Sequence, residues 1–236
     1  DSVFDTCFSP DDAFIATASG DNTCKLWNTQ NGECVCTLVG HTGSVSSVCF
    51  SVGGGFALSA SHDHTAKIWD TSLIAESYCA MTLFGHTNNV NSACFSQDSS
   101  RVLTASLDGT TKVWNSRTGE CVLTLKEPGA CIFSACFSPD DVKILTTNFD
   151  GSASLWDAHT GTFLRKFSGH TEIVFSASFS EDGCYIATAS FDKLIKVWST
   201  FSGAMVCTLK GHSDFVFSAR FSSSGNHLVS ASADCT

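Results

Sequence analysis

Three sets of residues carry the ingredients of acyl-transfer chemistry: His41 with Ser59 and Asp63, His86 with Thr104 and Asp108, and His170 with Thr188 and Asp192. A hydroxyl nucleophile, a histidine base and an orienting carboxylate suit nucleophilic catalysis when an oxyanion hole is present and the histidine can move protons. The spacing argues for another use. In every set the hydroxyl follows the histidine by 18 residues, the aspartate follows the hydroxyl by four, and a tryptophan (Trp69, Trp114 or Trp198) follows the aspartate by six. A catalyst needs one such group. Identical copies point to a recurring structural unit whose buried polar groups pair with one another. No residue is therefore assigned to catalysis, to a cofactor or to a metal, and the chain is read as non-enzymatic.

The unit that positions these groups extends along the whole chain. Trp27, Trp69, Trp114, Trp156 and Trp198 are separated by 42, 45, 42 and 42 residues. Nineteen residues before each stands Phe8, Phe50, Phe95, Phe137 or Phe179, and Phe221 continues the series. Asp21, Asp63, Asp108, Asp150, Asp192 and Asp234 share one register, and Thr17, Ser59, Thr104, Thr146, Thr188 and Ser230 another. Each repeat reads as four short strands, for example 173–179, 185–190, 194–198 and 204–209, parted by turn-forming residues. Polar alternation is weak in the inner strands, which suggests sheets covered on both faces.

Composition narrows the partners. The 236 residues are 43% hydrophobic and carry a formal net charge of −10, with only 13 Lys and Arg. Nucleic-acid binders present a basic stripe to neutralise phosphates, so direct DNA or RNA binding is disfavoured, as is docking to an anionic membrane. Lys25, Lys67, Lys112 and Lys196 recur in register, so these charges are spread rather than clustered. No apolar run approaches the ~18 residues of a membrane span, and no secretory leader is visible at the start. The 13 cysteines are odd in number and form no CxxC pair. Cys7, Cys49, Cys94 and Cys136 share a slot that Ser178 and Arg220 fill elsewhere, so it is not a bridging slot. The thiols are expected to be reduced, small and buried, in cytosol or nucleus.

Gly40-His41, Gly85-His86, Gly169-His170 and Gly211-His212, the dipeptides Trp69-Asp70 and Trp156-Asp157, and the period of about 40–45 residues resemble the WD-repeat family. The resemblance implies an all-β fold, a β-propeller of four-stranded antiparallel blades around a channel. Five complete blades and half of a sixth are expected in a single domain over 1–236, with blades near 1–38, 39–83, 84–125, 126–167 and 168–209 and a partial one at 210–236. They are read as part of a seven-bladed ring, completed by residues outside this stretch or by another chain. The resemblance also implies structural tetrads: His41, Ser59, Asp63 and Trp69; His86, Thr104, Asp108 and Trp114; His170, Thr188, Asp192 and Trp198. In each, the aspartate accepts from the histidine, the histidine contacts the hydroxyl, and the hydroxyl accepts from the indole. The fourth repeat departs, with Glu127-Pro128 in the Gly-His slot. It is expected to be the least stiff, its residues 143–157 exchanging amide hydrogens faster than 101–115.

In the resembling family partners dock on one rim of the blades, through residues three and five after the histidine and the residue before the aspartate. Those positions are Ser2, Phe4 and Gly20; Ser44, Ser46 and His62; Asn89, Asn91 and Leu107; Cys131, Phe133 and Phe149; Ile173, Phe175 and Phe191; and Phe215, Phe217 and Ala233. Apolar residues concentrate in the last three sets, so the expected partner-binding residues are Phe133, Phe149, Ile173, Phe175, Phe191, Phe215 and Phe217, with Leu107. A contiguous exposed apolar patch of this size marks a binding site, and two or three aromatic anchors can dominate an interface. The competing expectation is that these rings pack only on one another. The function expected is a non-catalytic interaction scaffold, a subunit or adaptor that docks other proteins or peptides. The alternatives are an enzyme with a site at the channel and a reader of modified peptides. A reader needs an arginine cluster or an aromatic cage, whereas Arg101, Arg117, Arg165 and Arg220 are scattered.

Overall fold

A computed structural model of the chain describes residues 1–127, 131–222 and 224–236. Among these the structure is all-β apart from one 3-10 turn at Ile74–Glu76. The chain divides into two compact units, Asp1–Lys126 and Glu127–Thr236. The first unit holds β1 (Val3–Phe8), β2 (Phe14–Ser19), β3 (Thr23–Asn28), β4 (Cys34–Val39), β5 (Val45–Phe50), β6 (Phe56–Ser61), β7 (Ala66–Asp70), β8 (Tyr78–Leu83), β9 (Val90–Phe95), β10 (Arg101–Ser106), β11 (Thr110–Asn115) and β12 (Cys121–Lys126). The second holds β13 (Ile132–Phe137), β14 (Lys143–Asn148), β15 (Ser152–Asp157), β16 (Phe163–Ser168), β17 (Val174–Phe179), β18 (Tyr185–Ser190), β19 (Ile195–Ser199), β20 (Met205–Leu209), β21 (Val216–Phe221) and β22 (Leu228–Ser232). Strands of each repeat pair with their sequence neighbours, giving antiparallel four-stranded sheets β1–β4, β5–β8, β9–β12, β13–β16 and β17–β20, and the hairpin β21–β22.

Burial within a sheet follows the residue types. The second strands β6, β10, β14 and β18 are buried over all but their first residue. Apolar residues and hydroxyls therefore run continuously along them, as in strands covered on both faces. Outer strands face solvent and plant one apolar anchor each: Leu38 in β4, Leu83 in β8, Leu125 in β12 and Phe167 in β16. Buried alanines such as Ala16, Ala57, Ala105 and Ala187 let neighbouring sheets approach closely. Cores form between consecutive sheets. Ala16, Leu26 and Leu38 of one sheet meet Val45 and Trp69 of the next, and Leu145, Leu155 and Phe167 meet Ile186 and Trp198 in the second unit.

One recurring irregularity positions the candidate site. Where the first strand pairs with the second, the register skips one residue: Phe4, Ser46, Asn91, Phe133, Phe175 and Phe217 in turn. Such β-bulges re-aim a side chain at a strand end. Five residues after the histidine slot is thus the bulged position.

The cysteines correct an expectation. All 13 are free, but only Cys24 is fully buried, and Cys34, Cys79, Cys121, Cys184, Cys207 and Cys235 are exposed. The cause is the solvent-facing outer strand, which carries Cys34, Cys79, Cys121 and Cys207. The inner slot behaves differently. Burial pushes Cys7 up to about 12 and Cys136 up to about 11. Cys49 and Cys136 donate to the Ala93 and Ala177 carbonyls of the next sheet, both at 3.6 Å, as the Ser178 hydroxyl does to Ala219 at 2.9 Å. At Cys49, Cys136 and Ser178 the slot supplies a small donor that ties one sheet to the next.

Candidate protein-docking site

Turns between second and third strands are pinned by polar quartets. His41 Nδ1 lies 2.7 Å from Asp63 Oδ2 and its Nε2 lies 2.7 Å from Ser59 Oγ, while the Trp69 indole donates to that same oxygen at 2.8 Å. His86, Asp108, Thr104 and Trp114 repeat the arrangement at 2.8, 2.7 and 2.8 Å. His170, Asp192, Thr188 and Trp198 do so at 2.8, 2.8 and 2.9 Å. Burial lowers the pKa of His41, His86 and His170, which favours neutral imidazole. In the neutral tautomer that donates Nδ1–H to the carboxylate, Nε2 is left to accept from the hydroxyl, whose oxygen accepts from the indole. Burial opposes ionisation of Asp63 and Asp108. The Thr65 and Thr110 hydroxyls, a backbone N–H and the histidine nonetheless hold both carboxyls down at about 2. Each hydroxyl is buried and already accepts from an indole, so what the three copies share is the pairing of buried polar groups. Among the described residues no cluster of three or more His, Cys, Asp or Glu could hold a metal ion. Nor is any helix among them long and apolar enough to cross a membrane.

Elsewhere the quartet is partial. Trp27 donates to Thr17 at 2.9 Å in the first sheet. In the last hairpin His212 joins Asp234 at 2.9 Å and Ser230 at 2.8 Å.

The fourth sheet solves the same problem with other residues. Trp156 still donates to Thr146 at 3.1 Å. Pro128, in the histidine slot, lies outside the described residues, but Glu127 reaches into the site. Its Oε1 accepts from Ser154 at 2.8 Å and its Oε2 from Asn148 at 2.9 Å. Asp150, lacking a histidine, takes Lys166 Nζ at 2.8 Å, and the same ammonium lies 3.8 Å from Glu127. Burial works against the Asp150 carboxylate, but Lys166 and Ser152 draw its pKa down. Sequence reasoning missed Glu127, Asn148, Ser154 and Lys166. A signal existed. Third-strand lysines Lys67, Lys112 and Lys196 each reach a fourth-strand threonine: Thr82, Thr124 and Thr208. In the fourth sheet that cross-strand pair is reversed, Ser154 opposite Lys166.

These pinned turns present the expected docking positions. The residue before each aspartate donates its backbone N–H to the residue three after the histidine slot: Leu107 to Asn89 at 3.0 Å, Phe149 to Cys131 at 3.1 Å, Phe191 to Ile173 at 3.0 Å and Ala233 to Phe215 at 2.9 Å. In the second unit the structure gathers six phenylalanines into one array. Phe149 stacks on Phe133 with centroids 6.1 Å apart, and Phe133 meets Phe175 at 5.4 Å. Phe175 stacks on Phe191 at 5.5 Å and receives Phe217 edge-on at 5.6 Å. Phe191 stacks on Phe215 at 4.5 Å and meets Phe217 at 5.8 Å. The rings pack on one another and still face solvent: Phe149 is 56% exposed, Phe215 41% and Phe217 39%, with Phe133, Ile173, Phe175 and Phe191 half-buried. Leu107, also half-buried, belongs to the first unit. There the corresponding positions are mostly polar, and the Ser46 hydroxyl donates to Val90 O at 2.7 Å.

Comparison with known proteins agrees with this geometry. The WD40 family, described as WD domain, G-beta repeat, matches residues 1–28, 32–70, 77–115, 119–157, 161–199 and 203–236. From the second on, each matched segment starts at the outer strand of one sheet or the turn before it, and ends with the third strand of the next sheet or, in the last match, after β22. The chain is 58% identical over 33 residues to U3 small nucleolar RNA-associated protein 13 of Saccharomyces cerevisiae, covering 14% of this chain and 4% of that protein. It is 50% identical over 42 residues to F-box/WD repeat-containing protein 7 of Drosophila melanogaster, covering 18% of this chain and 3% of that protein. It is also 50% identical over 40 residues to F-box/WD repeat-containing protein sel-10 of Caenorhabditis elegans, covering 17% and 7%. Each match thus spans a small fraction of the relative. The repeats and these relatives support, in general terms, a scaffold or adaptor role in protein interaction. With repeat matches along most of its length and four-stranded sheets in the same register, the chain belongs to the WD40, G-beta-repeat family of β-propeller proteins.

Proposed function

We propose that the chain is a non-catalytic scaffold that docks an apolar or aromatic segment of a partner protein on the phenylalanine array of residues 131–217. The observation that carries this reading is the array itself, six rings in mutual contact with three of them well exposed. Fully burying a phenylalanine contributes about 1.5–3 kcal/mol, so covering even the three exposed rings would supply much of a stable interface. Rings already stacked lose little side-chain freedom on binding, which keeps the entropic cost low. The acidic balance of the chain supports protein rather than nucleic acid as the direct contact. Two relatives carry F-box/WD repeat names and one is named for a small nucleolar RNA. With the free thiols, these names support a place in a larger assembly of the cytosol or nucleus.

The test is a pulldown with mass spectrometry, comparing the unaltered chain with the double variant Phe175→Ser, Phe217→Ser. Phe175 touches three other rings and Phe217 lies at the solvent edge. The specific partners should be depleted while the melting temperature is held. Undiminished capture, or a protein that has lost its fold, would reject the array as a docking site.

A further inference from the structure

A second surface lies in the first unit, at the opposite end of the strands from the tetrad turns. Consecutive sheets there leave a cleft between the first-to-second strand turn and the third-to-fourth strand turn. Between sheets β1–β4 and β5–β8 it measures about 420 Å³ and Ile74 lines it. Ile74 belongs to the only 3-10 turn among the described residues, within a connection three residues longer than its counterpart in the next sheet. Trp69 pairs with Cys79 across ten positions, whereas Trp114 pairs with Cys121 across seven. Ile74 is half-buried against the core of the first two sheets, while its neighbour Leu73 is 65% exposed. The chain itself thus shows what such a cleft takes: an aliphatic side chain entering from an adjacent turn.

Between sheets β5–β8 and β9–β12 the equivalent cleft is larger, about 590 Å³, and is lined by Phe56, Ile68, Phe95, Asp98, Asn115 and Arg117 among others. This lies within the range of about 300–1,000 Å³ typical of ligand clefts. Among the described residues none does here what Ile74 does next door. The shorter turn reaches Gly119 at φ +72°, where an added Cβ would stand 2.7 Å from Met81 Sδ. Phe56 is left 43% exposed at the wall, whereas its counterpart Phe14 is half-buried. The charges at the mouth are unequal in freedom. Asp98 is engaged by the Ser96 and Ser100 hydroxyls, at 2.6 and 2.8 Å. The exposed Arg117 guanidinium has no partner among the described residues, only its backbone N–H being bonded, to Asn115. The lining thus carries one carboxylate, kept ionised by its serine hydroxyls, and one guanidinium that has no partner among the described residues.

We propose that the cleft between sheets β5–β8 and β9–β12 docks an extended acidic segment of a partner protein, an Ile or Leu side chain lying against Phe56 and Phe95 and a neighbouring carboxylate on Arg117. The aliphatic side chain repeats the seating of Ile74, and the carboxylate supplies the complement that Arg117 lacks. This surface is separate from the phenylalanine array and does not depend on it.

The test uses immobilised hexapeptides, each with one Ile or Leu flanked by Asp and Glu, beside a matched set flanked by Lys. The purified chain should bind the acidic set and spare the lysine set. Inserting Leu-Ile-Ala after Arg117, a copy of residues 73–75, should fill the cleft from within and weaken binding about tenfold. Arg117→Ser, an exposed change that leaves packing alone, should weaken it about fivefold. Hydrogen exchange with bound peptide should show protection over residues 95–101 and 115–118. The proposal is overturned if no acidic peptide binds, if the lysine set binds as well, if both altered chains bind normally, or if protection falls only on residues 131–133 and 173–175.

Discussion

The third and fourth sheets, β9–β12 and β13–β16, place a tryptophan, a hydroxyl and an aspartate at identical register and satisfy them by opposite means. The third uses a neutral base: His86 bridges Asp108 and Thr104 while Lys112 is sent across the strand pair to Thr124. In the fourth, two carboxylates and an ammonium take the place of the histidine. Glu127 accepts from Ser154 and Asn148, and Lys166, now on the other strand, closes on Asp150. What the fold demands is that buried polar groups be paired, and it does not prescribe the residue that pairs them. The substitutions at 127, 148, 154 and 166 therefore belong together. Any one alone would leave a donor or acceptor unmatched in low dielectric, where an unpaired group is costly. Among the described residues each of the two sheets keeps one buried side-chain oxygen without a partner, Thr111 Oγ1 in the third and Asn148 Oδ1 in the fourth.

The largest expected effect breaks the neutral arrangement. His86→Ala leaves Asp108 and Thr104 each short of a partner and should lower stability by about 3 kcal/mol in urea unfolding, given roughly 1–3 kcal/mol per buried group left unsatisfied. A loss below about 1 kcal/mol would show that the quartet contributes little. Glu127→Ala should cost less, about 2 kcal/mol, since the Ser154 hydroxyl can still find the peptide backbone. Glu127→Gln should cost about half of that, because an amide keeps one acceptor oxygen but cannot accept from both Ser154 and Asn148. Equal losses for Ala and Gln would mean that the charge of Glu127, rather than its two acceptor atoms, holds the turn.

The smallest effect sharpens the comparison by pH. His86 titrates lower in the folded chain than its ordinary 6.5, burial being the main cause. Its contribution is complete above pH 6.5 and is lost as pH falls from there through the folded value. Asp108, held at about 2 against an ordinary 3.8, adds a second loss between those values. The fourth sheet has no histidine in its polar cluster, its His159 standing exposed in the turn between β15 and β16. Lys166 is raised above 10.5, chiefly by its hydrogen bond to Asp150, so its contribution is present below pH 10.5 and fades as pH rises through the folded value. That term is small because the lysine is 42% exposed. Amide exchange followed from pH 7.5 to 5.5 should therefore lose protection at residues 101–115 and hold it at 143–157. Parallel loss in both sheets would mean that histidine protonation is not what separates them. The expectation that the fourth sheet is the least stiff rested on its missing histidine, and Glu127 removes that ground.

Much of this was legible in the residues. Trp27 to Trp198 keep a spacing that only a repeated sheet explains, and a hydroxyl ten residues earlier marks the acceptor of each indole. The bulged positions keep a constant offset from the histidine slot, but only the strand pairing shows that they are bulges. The reversal of lysine and hydroxyl between Ser154 and Lys166 was visible but looks like drift until the strands are paired. The cysteines misled because residue type alone does not say which strand is outermost: Cys24 and Cys34 are ten residues apart, one buried and one exposed.

The amino-acid pattern by itself determined the period, the strand pattern of each repeat and the recurrence of the quartet residues, because all of these are local or recur at fixed separations. Only the tertiary structure decided which groups replace a missing histidine, that six phenylalanines from the strands and turns of three successive repeats become one exposed array, and that a cleft occupied by Ile74 in one place stands open beside Arg117 in the next. The first depends on groups brought together across the strands of one sheet, the other two on contacts between residues of different sheets. Sequence spacing constrains such distances weakly, whereas close packing sets them to within an ångström.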